Sequence, residues 1–160
     1  MRTVGQWLSE YDASHQNVTN KRLHWICVPA IVISLTGLLW SLPVPASWRE
    51  LALLPDWLSF NWGILLLAVG VLYYLVMSWR LALGMALFAG GVVVVLLGFE
   101  RLPWPLWAMC LVLFAVAWLG QFIGHHYEGK RPSFFTDIQF LMIGPLWLLS
   151  FVYRKLRIPF

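Results

Sequence analysis

Four apolar runs of near span length, parted only by short polar breaks, leave this 160-residue chain few ways to fold. A helix needs about 20 apolar residues to cross roughly 30 Å of hydrocarbon. The runs cover 25–42, 61–79, 81–99 and 104–124. Pro43-Val44-Pro45 closes the first, and Glu100-Arg101-Leu102-Pro103 separates the third from the fourth. Arg80 divides a stretch otherwise too long for one helix, so a tight hairpin is expected there. A fifth apolar stretch, 138–152, is short and carries Gly144-Pro145 in its middle. The expectation is an all-α integral membrane protein with a single membrane domain over 1–160. It would be a four-span helical bundle with a short C-terminal re-entrant or fifth membrane helix, preceded by an amphipathic cytoplasmic segment at 1–23.

Only 11% of the residues are charged, against about 25% in an ordinary soluble domain. The net charge of +4 sits in loops and tails, where it orients the chain rather than binding nucleic acid. With the N-terminus cytoplasmic and four spans, Arg2, Lys21, Arg22, Arg80, Lys130, Arg131, Arg154, Lys155 and Arg157 lie inside, and Arg49 and Arg101 outside. That asymmetry favours four spans with both termini cytoplasmic, in a bacterial inner membrane or, in a eukaryote, the endoplasmic reticulum. Trp40, Trp48, Trp57, Trp104 and Trp107 gather at the opposite boundary as an aromatic belt would. Cys27 and Cys110 stand inside apolar runs without zinc-site spacing and read as small core residues. Gly84, Gly90 and Gly91 are expected to permit close helix packing.

All four histidines fall in two clusters that this topology brings to one face: His15 and His24 before the first run, His125 and His126 after the fourth. Neutral imidazole is the commonest protein ligand for zinc, iron, copper and nickel. His15 and His24 are nine residues apart, so on one straight helix they would point in opposite directions. They share a metal only if the chain bends, and Gln16 to Asn20 offers the bend, with Asn17, Thr19 or Asn20 capping the first membrane helix. His125 is the favoured ligand of its pair and His126 a fourth candidate. Asn17, Asn20, Gln121, Tyr11 and Tyr127 are candidates to hydrogen-bond the imidazoles. Glu128 either completes a two-histidine, one-carboxylate site or pairs with Lys130 or Arg131; Asp137 is a weaker candidate. Arg22, Lys130 and Arg131 either grip an anionic lipid head or fatty-acid carboxylate or simply signal topology. Gly124 and Gly129 are expected to allow close chain approach or a turn. The competing account treats every histidine as an interfacial polar residue.

Two segments resemble a known family. Tyr11-x3-His15-x-Asn17-x2-Asn20-x3-His24-x4-Pro29 is similar to the N-terminal signature of the small membrane proteins typified by the fungal endoplasmic-reticulum 2-hydroxy-fatty-acid dioxygenase. Gln121-Phe122-Ile123-Gly124-His125-His126-Tyr127-Glu128-Gly129-Lys130-Arg131-Pro132 resembles the second signature, with His125 to Glu128 one residue shorter than in the fungal form. The resemblance implies an Fe(2+)-dependent dioxygenase of fatty-acid α-oxidation. Its partners would be O₂ and a 2-hydroxy fatty acid, cleaved to an acid one carbon shorter. His15, His24 and His125 would hold the iron, and the acyl chain would enter from the bilayer. Three other readings compete: a bis-histidine haem protein, a zinc-binding membrane protein and a non-enzymatic membrane scaffold. Two-metal membrane hydroxylases need about twice as many histidines.

Overall fold

The computed structural model describes residues 2–49, 55, 58–132 and 139–160, and every regular element among them is a helix. A short amphipathic helix α1 (Val4–Asp12) comes first, then the long α2 (Val18–Trp40) and a single turn α3 (Ala46–Arg49). The chain continues through α4 (Trp62–Met77), α5 (Trp79–Phe99), α6 (Leu106–Glu128) and α7 (Phe140–Lys155). Helices α2, α5 and α6 are each long and apolar enough to cross a membrane.

Local chemistry explains the boundaries. Thr3 and Gln6 form a capping box that starts α1. Of the three candidate caps it is Asn17 that starts α2, its side chain accepting from the Thr19 and Asn20 backbone N–H groups. Asn61 does the same for α4 through Ile64 N–H. Gly129, at φ 68°, closes α6 in the left-handed conformation that costs glycine least. Outward positions stay apolar, with Val76 at 81% exposure and Leu87 at 73%, the pattern of a surface that meets lipid rather than water.

Packing is organised by α2, which lies against α4, α5, α6 and α7. Its longest contact is with α6, and the two run antiparallel with small residues in the seam. Asn20 meets Gly124, Cys27 meets Gly120, and Gly37 meets Cys110. Both cysteines are free and buried, as small core residues should be. A second core joins α1 and α7 to α4 and α5: Trp7, Leu8 and Tyr11 pack with Phe140, Ile143 and Trp147. Tyr74 Oη donates to the Met142 carbonyl and Tyr153 Oη to the Arg80 carbonyl, each at 2.5 Å, tying α7 to α4 and α5.

Three expectations need correction. The break between the second and third runs is at Ser78, a single extended residue, while Arg80 lies inside α5. Helix α4 is therefore only 16 residues long. The stretch 138–152 is not broken by Gly144-Pro145: α7 runs through both, and Ile143, Leu146 and Trp147 are among its most buried residues. Proline removes one backbone donor, and here burial on α1, α2 and α5 outweighs it. Gly84 is a packing glycine, since an added Cβ would meet Tyr153 Oη at 2.5 Å, but Gly90 and Gly91 face open space. Trp104 and Trp107 are exposed at the end opposite the histidines, while Trp40 donates to Glu100 at 3.0 Å. Trp57 and Asp137 lie outside the described residues, as does the Trp48 side chain.

Candidate metal centre

His15 sits in the bend between α1 and α2, His24 in the second turn of α2, and His125 one turn before the end of α6. The bend lets two histidines nine residues apart converge. The α2–α6 seam brings the third, because Gly124 has no Cβ: one there would meet Asn20 Oδ1 at 2.5 Å. The three rings are at most 4% exposed. Their centroids are 4.4 Å apart for His15–His24, 4.9 Å for His15–His125 and 5.1 Å for His24–His125.

Hydrogen bonding fixes which nitrogens are free. His15 Nδ1 donates to the Tyr11 carbonyl at 2.6 Å, and His24 Nδ1 donates to the Asn20 carbonyl at 2.9 Å. In each neutral ring the proton is thus on Nδ1, so Nε2 carries a lone pair. Yet the two Nε2 atoms face each other at 3.0 Å. Two lone pairs at that distance repel unless a cation lies between or beside them. Burial pushes the His15 imidazole down to about 4, which disfavours a shared proton and keeps the ring in its ligating form. His125 Nδ1 is buried with no hydrogen-bond partner, a condition that buried polar atoms rarely tolerate. One ligand atom from each ring fits within 4.8 Å of the others, so the group could hold a metal ion. The backbone carbonyls that fix the tautomers of His15 and His24 are the outer partners that metal-ligating histidines ordinarily have.

The other anticipated residues divide sharply. Tyr11 stacks on His15 at 4.0 Å between ring centres, nearly parallel. Asn20 is fully buried beside His24, and Gln121 is buried one turn before His125. Glu128 is neither at the histidine ligand cluster nor paired with Lys130. Its carboxylate accepts from Gln16 and Asn17 N–H and from Asn20 Nδ2, while Lys130 Nζ donates to the Ala13 carbonyl at 2.7 Å. Asn17 caps α2, and its Nδ2 donates to the Tyr127 carbonyl. His126, the fourth candidate ligand, is exposed outside the cluster, because it lies about 100° round α6 from His125. Arg22 and Arg131 are exposed.

Sequence reasoning missed Trp147. Its ring lies 5.2 Å from His15 and 6.2 Å from His24, and its Nε1 donates to Asp12 at 3.2 Å. A tryptophan in an apolar stretch gives no signal of that contact. A cleft opens beside the group. Tyr11, His24, Gln121 and His125 supply its polar atoms, and Val28, Ile31, Val32, Trp118 and Leu141 are among its apolar walls.

A family model described as Mpo1-like, 2-hydroxy-palmitic acid dioxygenase Mpo1-like, matches residues 1–156. No curated protein and no solved structure matches the chain.

Proposed function

Because the chain belongs to the Mpo1-like family of 2-hydroxy-palmitic acid dioxygenases, we propose that it is a membrane-embedded, Fe(2+)-dependent 2-hydroxy-fatty-acid dioxygenase. It would consume O₂ and yield an acid one carbon shorter. The observation that carries the reading is the pair of Nε2 lone pairs facing at 3.0 Å, with the His125 ring centred 4.9 and 5.1 Å from the other two. His15, His24 and His125 are the residues that would hold the iron. Bound ferrous iron would supply the redox chemistry that activates O₂, which no side chain here provides.

The protein's own groups do the rest. The Tyr11 and Asn20 carbonyls hold His15 and His24 with Nε2 free. Tyr11 and Trp147 wall the group, limiting water around the reacting centre. Gln121 and the Tyr11 hydroxyl offer neutral donors to the substrate's polar head from the cleft wall. Ile31 and Val32 stand seven and eight residues beyond His24, about 10–12 Å along the helix. An acyl chain whose head lies at the histidines would follow that wall and leave its remainder among lipid. We place both termini on the cytoplasmic side, with α2, α4, α5 and α6 as the four spans and α7 folded back against them.

Elemental analysis of anaerobically purified protein, wild type beside His24→Ala, tests this directly. Near-stoichiometric iron that the variant lacks, with 2-hydroxypalmitate shortened in the presence of O₂, is the expected result. Zinc in the wild type would retain the site and sink the dioxygenase. Iron-loaded protein that leaves 2-hydroxypalmitate intact would sink the substrate.

A further inference from the structure

Glu128 follows His125 by three residues at the end of α6. Its carboxylate accepts three hydrogen bonds from the segment that carries the other two histidines. Oε1 takes the Gln16 N–H at 2.8 Å; Oε2 takes the Asn17 N–H at 2.8 Å and Asn20 Nδ2 at 3.0 Å. Two of these donors lead to a histidine. Gln16 is the residue after His15, and the Asn20 carbonyl receives the Nδ1 proton of His24. One carboxylate on the helix of His125 therefore reaches the other two imidazoles at one remove, across a sequence separation of more than a hundred residues.

The surroundings fit that task. Gly124 leaves room for Asn20 to sit against α6, and Lys130 and Asn17 add two further links across the same gap. Both carboxylate oxygens are already engaged by donors. Hydrogen bonds to an ionised acceptor are roughly twice as strong as neutral ones. An amide in place of this carboxylate would turn an NH₂ group toward N–H donors and lose at least one of the three bonds.

We propose that Glu128 is the positioning residue of the histidine group: it sets the spacing between His125 on α6 and the His15–His24 pair without itself being a ligand. The proposal deepens the metal-site reading and rests on it only for its metal readout.

The experiment compares wild type with Glu128→Gln, Asn20→Asp and the double variant, using cobalt(II) as probe in detergent-purified, metal-free protein. Loss of the clamp lowers cobalt affinity about 10- to 100-fold, the usual effect of removing an outer partner of a metal ligand. It also changes the visible absorption that reports ligand geometry, with helix content unchanged. Asn20→Asp alone sets two carboxylates together and weakens binding. In the double variant the introduced amide donates to the introduced carboxylate, the link is remade with its polarity reversed, and part of the affinity returns. A metal-free arm measures diethylpyrocarbonate labelling of His15 and His24, expected to be slow in wild type and several-fold faster in Glu128→Gln. Wild type that takes no cobalt would remove the metal reading and leave the labelling arm to decide the clamp. Unchanged labelling in Glu128→Gln, or cobalt bound as tightly and with the same spectrum, overturns the proposal. If Glu128→Gln does not fold, Glu128→Asp keeps the charge and shortens the reach by one methylene; weaker cobalt binding and faster labelling than wild type are expected, and values equal to wild type overturn the proposal.

Discussion

The two ends of the α2–α6 seam use the same device for opposite purposes. At one end Gly37 lies against Cys110 and Leu96, and the close approach buries apolar atoms. At the other, Gly124 lies against Asn20, and the close approach admits a fully buried amide that is bonded to Glu128 and whose backbone orients His24. Small residues bring helices together wherever they face each other. What enters the space decides the outcome: sulfur and methyl groups make a joint, and an amide and three imidazoles make a place for chemistry. A helix pair can thus be stabilised at one end and carry a costly polar group at the other, because the apolar end holds the register.

That contrast can be broken by substitution. The largest effect is expected at the polar end from His15→Ala, which removes one of three nitrogens. Metal affinity should fall by more than the roughly hundredfold typical of outer-partner losses, measured by competition with a chelator, while helix content holds. Gly124→Ala comes next. Its Cβ would meet Asn20 Oδ1 at 2.5 Å, so Asn20 must move, and metal affinity is expected to fall about tenfold. Gly37→Ala makes the matching change at the apolar end, where the new Cβ would overlap the Cys110 sulfur. Overpacking of that kind costs about 1–3 kcal/mol, so the Tm should drop with metal bound per folded molecule unchanged. Adding Cys110→Ala frees the space and should recover most of the loss. Smallest of all is His126→Ala: its ring is exposed, and metal content should match wild type. A metal loss from Gly37→Ala equal to that from Gly124→Ala would erase the distinction between the two ends.

Much of this was legible in the residues. Apolar run length located α2, α5 and α6, because a span's length follows from the bilayer's thickness. The two histidine clusters were expected at one end of the helices, and His15, His24 and His125 do lie together there. The bend between His15 and His24 was legible in the polar run Gln16 to Asn20, though which of Asn17, Thr19 and Asn20 caps α2 was not. Other features depended on tertiary contacts that local pattern does not encode. Arg80 looked like the break between runs, but Ser78 is the residue that leaves the helix, and Arg80 instead donates to the Pro159 carbonyl at 3.1 Å. Gly144-Pro145 looked disruptive, yet α7 is held by its burial against Tyr11, Val28 and the α5 face. Glu128 could be read from sequence as a ligand or as a headgroup partner; its actual donors are two backbone N–H groups and an amide over a hundred residues away. Backbone donors have no sequence signature.

The face of α1 that carries Tyr11 finds its cover in α7, the final helix, and the third imidazole comes from residue 125. Translation delivers these parts far apart in time. About a hundred residues separate His24 from His125, roughly 5–20 s at ordinary rates of synthesis. Throughout that interval the nascent chain holds two histidines with no third, and the wall made by Trp147 comes later still. Any ion that needs all three imidazoles would therefore have to bind after α6 has been made.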